Sequence, residues 1–160
     1  MAVSCCFIKE EYFTEHLEFI RMLDPGNTIK QSHRSHLCLK ITDNENAFYL
    51  PLRNNLGADI RPFGRIGHAL PSASRPNAGI DYRYALVINE DKYIEIPTEQ
   101  RIPNTQYQKL EADIEAIQTE FSLYLSGFLK AAKKNRIERE PLYRVSSLIN
   151  FLPELGKLSK

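Results

Sequence analysis

The chain has 160 residues, 42% of them hydrophobic, with 21 lysines and arginines against 20 acids and a net charge of +1. That length suits a single domain spanning residues 1–160 with a sizeable core and leaves too little for two, while a near-zero net charge says nothing of partners until its distribution is known. An adjacent Cys5–Cys6 pair and a distant Cys38 argue against a disulfide framework or a zinc site; no signal-peptide pattern opens the chain and no run approaches the ~20 apolar residues of a membrane span, so the expectation is a soluble cytoplasmic protein.

In chain order, Val3 to Ile8 reads as a short strand. Glu10 to Leu23 carries Phe13, Leu17, Ile20 and Leu23 at helical spacing, and Asp24-Pro25-Gly26-Asn27 stops that helix. His36 to Ile41 and Ala47 to Leu52 flank a polar tetrapeptide, Asp43 to Asn46, which predicts a hairpin; Tyr82 to Ile88 and Lys92 to Ile96 flank Asn89-Glu90-Asp91 and predict a second. Between them, Arg53 to Gly79 is irregular, with four glycines, three prolines and four arginines, a loop length usually reserved for function. Tyr107, Leu110, Ile114, Ile117, Phe121, Leu125 and Phe128 predict a long amphipathic helix over Asn104 to Asn135 with Asn104 or Thr105 as N-cap, and Pro141 opens a last helical stretch folded back on the core. The class is α+β, an antiparallel sheet with helices packed around it.

Charge is segregated along this order. From Pro51 to Arg83 the chain holds Arg53, Arg61, Arg65, Arg75 and Arg83 against two aspartates and no lysine, whereas Glu90 to Glu120 holds eight acids against three bases. Lys30, His33, Arg34 and His36 lead into the first hairpin, and Lys130, Lys133, Lys134, Arg136 and Arg139 close the long helix. Arginine forks onto phosphate and stacks on bases, so this pattern predicts a positive, RNA-facing surface; solvated loops and a basic helix end that complements its dipole account for the same residues more plainly.

The stretch FYLPLRNN sharpens the question, because an apolar strand breaks there into Arg53, Asn54 and Asn55. As backbone it reads as an edge strand ending in an asparagine turn. As chemistry, a cation and two amides fixed at a strand end donate hydrogen bonds to a phosphate that gains charge in a transition state. The proton acceptor must then be a histidine, with His68, His33 and His36 the candidates. In GIDYRY, either Asp81 caps the turn or pairs with Arg83 while the tyrosines pack on the sheet, or Tyr82 and Arg83 face the groove of Arg53. No Walker loop, nucleophile elbow, HExxH or paired-carboxylate metal motif is present, so no cofactor and no metal are expected, and no groove-reading helix suggests DNA.

Four motifs in order, His33-Arg34-Ser35-His36, FYLPLRNN, GIDYRYALVI and IPNTQY, over about residues 30 to 130, resemble the endoribonuclease toxins of type III toxin–antitoxin systems, the ToxN/AbiQ superfamily, in its TenpN-like branch. The resemblance implies a strongly bent antiparallel sheet of the MazF/Kid-like barrel kind surrounded by helices. It also implies metal-independent RNA cleavage by 2′-hydroxyl attack, leaving a 2′,3′-cyclic phosphate. The implied inhibitor is an RNA antitoxin whose pseudoknot repeats the toxin trims and which closes hetero-oligomeric toxin–RNA assemblies in phage defence. By this likeness Arg53, Asn54 and Asn55 sit at the site together with Arg34 or His33; the charge pattern and the local sequence place His33, His36, Arg61, Arg65, Arg75, Tyr82, Arg83, Lys133 and Lys134 on RNA. Amides stand where the better-known members carry hydroxyls and a lysine, and Tyr84 stands where a lysine is expected. A non-catalytic RNA-binding module is the alternative.

Overall fold

The structure, a computed structural model, describes residues 5–41, 45–57, 65–99 and 101–156. Its elements in order are β1 (Cys5–Ile8), α1 (Glu10–Glu15), α2 (Thr28–Ser32), β2 (His36–Lys40), β3 (Ala47–Arg53), β4 (Gly67–Ala69), β5 (Gly79–Asp81), β6 (Leu86–Val87), β7 (Ile94–Glu95), α3 (Asn104–Lys133) and α4 (Leu152–Gly156), with short 3-10 turns between the later ones. The expected α+β class holds: the strands form an antiparallel sheet of order β4-β5-β3-β2-β1-β7, with β6 also on β3. β4 and β7 stand at opposite ends of that order, so the sheet is open and not closed into a barrel.

β3 is the spine. Along one edge it pairs with β2 from His36↔Pro51 to Lys40↔Ala47, the hairpin expected from the two stretches that flank Asp43 to Asn46. Along the other edge it pairs with β6 at Phe48↔Val87 and Tyr49↔Leu86, then with β5 at Leu52↔Ile80 and Arg53↔Gly79. Leu50 and Pro51 of β3 thus face the five residues Asp81 to Ala85 of the returning chain, and the surplus is expelled as the 3-10 turn Tyr82–Tyr84, a bulge that leaves Asp81 between Arg53 and Arg83.

Three expectations are corrected here. The helix expected over Glu10 to Leu23 ends at Glu15: the His16 ring meets the Tyr12 carbonyl at 2.6 Å and stacks on Phe19, while Leu17 and Ile20 are 71% and 53% exposed, so their spacing serves no buried face. The arms of the second predicted hairpin do not pair with each other; β6 joins β3 and β7 joins β1, because Asn89 accepts a hydrogen bond from the Ala47 amide and donates one to Asn46, which ties the connection to the start of β3. Within the stretch expected to be irregular, β4 and β5 pair through Gly67↔Asp81, His68↔Ile80 and Ala69↔Gly79.

α3 takes Pro103, and neither Asn104 nor Thr105, as its N-cap position. Its buried stripe, Leu110, Ile114, Ile117, Phe121, Leu125 and Phe128, lies on the sheet, with Phe121 edge-on to Phe48 at 5.1 Å. Leu148, Phe151 and Leu155 of the last segment complete one buried cluster, its helical turns starting at Ser147 and not at Pro141. Among the described residues no helix is long and apolar enough to cross a membrane.

Candidate nucleic-acid interface

A groove of about 300 Å³ opens where the C-terminal end of β3 meets α2, the loop after β4 and the start of α3. Its lining holds five cations, Lys30, Arg34, Arg53, Arg75 and Arg101, together with His33 and no carboxylate. A larger cleft of about 630 Å³ lies against Cys6, Cys38 and Tyr49, with Lys40 balanced by Glu45 and Asp91. Burial there pushes the thiol of Cys6 up to about 12 and that of neighbouring Cys5 to about 11, so neither is a thiolate at neutral pH.

Arg53, Arg34 and Lys30 are each placed by a carboxylate. Arg53 donates through Nη1 to Asp81 Oδ2 at 2.9 Å, and Arg83 holds the same carboxylate through Nε at 3.0 Å and Nη2 at 2.9 Å. Asp81 is fully buried and also accepts from the Arg83 amide, so it caps the 3-10 turn as well as pairing. For Arg83, burial opposes the charge, but the hydrogen bonds and charge of Asp81 outweigh it and its pKa is raised. Both guanidiniums lie over the Tyr84 ring, at 5.6 and 5.5 Å. Arg34 grips Asp24 through Nε and Nη2, at 3.2 and 3.0 Å, and donates Nη1 to the Leu52 carbonyl. Lys30 reaches Asp24 at 3.3 Å.

Arg75 differs. It donates to the neutral Asn54 Oδ1 at 2.8 Å, and neither it nor Arg101 has a carboxylate partner among the described residues. Arg53 and Arg34 each share one carboxylate with a second cation, Asp81 with Arg83 and Asp24 with Lys30, whereas Arg75 and Arg101 meet no carboxylate among the described residues.

The histidines separate sharply. His33 is exposed on the groove wall. His36 is buried, its Nδ1 3.0 Å from the Arg34 carbonyl, and desolvation pulls it down to about 4, so it is neutral at pH 7 and lies outside the groove. His68 sits between two carboxylates of α3, Nδ1 at 2.9 Å from Glu120 and Nε2 at 2.8 Å from Asp113. The expected proton acceptor thus has both ring nitrogens engaged by α3 and lies outside the groove lining, where it clasps β4 to α3.

Other expected site residues scatter. Tyr82 is fully buried and donates its hydroxyl to Glu120 at 2.7 Å, its pKa raised by burial and by that bond, so packing rather than RNA contact explains it. Asn55 turns its side chain onto the Gly57 amide, Arg65 lies 3.7 Å from Glu120, and Arg83 backs Asp81. Arg61 lies outside the described residues. Lys133 and Lys134 are exposed at the far end of α3, whose 30 residues set them about 45 Å from the groove. What the sequence reading missed is the pairing of Asp81 with Arg53, Asp24 as counter-charge to Arg34, and Arg101 and Gln106 as lining; IPNTQY was the signal that pointed towards the last.

Among the described residues no three His, Cys, Asp or Glu side chains converge to hold a metal ion. No family model matches the sequence, and no curated protein does. Among solved structures the chain is similar to one from a study of bacterial type III toxin–antitoxin systems concerned with selective toxin inhibition by a non-coding RNA pseudoknot. All of this chain and 79% of that one align, at 14% identity and a TM-score of 0.45. A likeness of that degree does not by itself carry a function, which has to come from the side chains of the groove.

Proposed function

We propose that this chain is an RNA-cleaving toxin of a type III toxin–antitoxin system, held in check by a structured RNA and serving phage defence. The observation that carries the reading is the groove itself: five cations and an exposed histidine with no carboxylate in the lining, at the strand end where the sequence motif FYLPLRNN terminates. Such a lining favours an anionic ligand, and its forked guanidiniums suit a phosphodiester.

The reaction that fits is transesterification. His33 Nε2 or Nδ1 takes the proton of a ribose 2′-hydroxyl and the 2′-oxygen bonds to the adjacent phosphorus. The bond from phosphorus to the 5′-oxygen breaks, and that oxygen takes a proton from the imidazolium or from water, leaving a 2′,3′-cyclic phosphate. Arg75, carried by Asn54, and Arg53, held at fixed orientation by Asp81, stabilise the charge on the phosphorane-like transition state. Arg34 and Lys30 hold the flanking strand.

Purified protein incubated with total RNA in EDTA should produce fragments with 2′,3′-cyclic phosphate ends, and His33→Ala and Arg53→Ala should each lose about 100-fold or more in rate. One observation favours a second reading, a non-catalytic RNA-binding module: Arg53 and Arg34, the motif cations, are already engaged by Asp81 and Asp24. Intact RNA recovered bound to folded protein would select that module.

A further inference from the structure

The groove has two unlike walls. On the side of α2 and β3 it presents Lys30, His33, Arg34, Arg53 and Asn54, groups suited to phosphate and ribose. From the entry to α3 come Arg101, Ile102, Pro103 and Gln106. This second wall mixes one cation, two apolar side chains and a carboxamide. A wall shaped for phosphates alone has no use for Ile102 and Pro103, and one shaped for protein packing has no use for an exposed Arg101 facing a void.

Gln106 is the informative member. It is only 8% exposed, yet it lines the groove, and its Nε2 donates to the Leu70 carbonyl at 2.7 Å. That bond crosses from α3 to the chain just after β4 and fixes the plane of the carboxamide before any ligand arrives. A carboxamide held in one orientation beside an apolar shelf is the equipment for reading the edge of a base, since a glutamine offers an acceptor and a donor side by side. Arg101, exposed at the rim, is placed for the phosphate attached to that nucleotide.

We infer that Arg101, Ile102, Pro103 and Gln106 form a nucleotide subsite of the groove, in which one base of an RNA strand rests on Ile102 and Pro103, is read by Gln106, and has its phosphate held by Arg101. The inference rests on the reading that the groove takes RNA, and it adds that binding there has a base-dependent part besides the electrostatic one. Phosphate contacts position a strand and base contacts specify it; the two walls divide that work.

The test needs no cleavage. Binding of the fluorescein-labelled decaribonucleotides A10, C10 and U10 is compared with that of a wholly abasic ribose-phosphate decamer of equal charge, by anisotropy at fixed salt. The intact protein should bind at least one base-bearing decamer about tenfold or more tighter than the abasic one. Gln106→Ala should collapse that preference to threefold or less while leaving abasic binding unchanged. Arg101→Ala should weaken all four alike and reduce the steepness of the salt dependence by about 0.7. Should the alanine variant at the buried position fail to fold, judged by circular dichroism, the volume-conserving Gln106→Met replaces it. Equal binding of abasic and base-bearing decamers, a preference that survives loss of the carboxamide, or no binding of any decamer overturns the subsite. Base-dependent binding lost with Gln106 but no cleavage of total RNA would leave the subsite standing and sink the ribonuclease reading; cleavage of total RNA with no base-dependent binding would do the reverse.

Discussion

Asp81 shows how much one carboxylate decides. Fully buried, it is tolerable only because Arg53 and Arg83 both hydrogen-bond it, and its removal would leave two guanidiniums facing each other over Tyr84. Asp81→Ala is therefore expected to cost about 3–5 kcal/mol, read as a lowered urea midpoint, whereas Asn54→Ala, which frees only Arg75 at the surface, should leave stability within about 0.5 kcal/mol and change RNA cleavage alone. His36 makes a second residue-scale prediction. Its burial lowers the folded pKa to about 4 against an ordinary 6.5, so between those values the unfolded chain binds the extra proton and stability falls as pH falls. The contribution is whole above about pH 6.5 and reduced by about 3 kcal/mol near pH 4. Urea midpoints measured at pH 7 and pH 4.5 should drop more steeply for the parent than for His36→Gln, and equal slopes would refute the assignment.

At the scale of elements, the β4–β5 ladder determines where Arg53 ends up. A Cβ on Gly79 would land on the His68 carbonyl, and one on Gly67 would land on the Ile80 carbonyl; both strands approach through backbone alone. Gly79 is also the register partner of Arg53. Gly79→Ala should thus cost about 1–3 kcal/mol and misplace Arg53, so that thermal stability and RNA cleavage fall together. The same ladder is fastened to α3 by His68 between Asp113 and Glu120, with Lys109 holding Asp113 below its ordinary carboxylate range and His68 adding to that. His68→Gln, which loses the ring that bridges Asp113 and Glu120, is expected to lower the melting temperature while retaining cleavage at low temperature. A rate collapse with stability intact would restore His68 as the base.

For the whole molecule, the decisive distance is the length of α3. Its basic end, Lys130, Lys133 and Lys134, lies about 45 Å from the groove, beyond an acidic stretch that includes Glu111, Asp113, Glu115 and Glu120. A decamer held in the groove should not feel Lys133→Ala with Lys134→Ala, whereas a long folded RNA that follows the surface should bind several-fold more weakly. If about three to five groove cations meet phosphates, the logarithm of affinity for the decamer should fall with the logarithm of salt at a slope between about −2 and −3.5.

Several of these features were legible in the chain itself. The two stretches that flank Asp43 to Asn46 predict the β2–β3 hairpin, the stripe from Leu110 to Phe128 predicts α3, and the arginines crowded between Pro51 and Arg83 predict a basic site near Arg53. Periodicity reports which face of a segment is buried, and composition reports charge; both are local. What they do not carry is the choice of partner. Tyr82 to Ile96 has the pattern of a hairpin, but its halves separate to β3 and β1 because those pairings bury the same side chains and keep Asn89 bonded. His68 has the chemistry of a base, but the ladder carries it to two acids 45 and 52 residues away. The counter-charges Asp24 and Asp81, and the convergence of Arg101 and Gln106 with Arg53 on one groove, likewise exist only once distant segments meet. Residue type and spacing determined what chemistry was available; long-range pairing decided which residues meet to perform it.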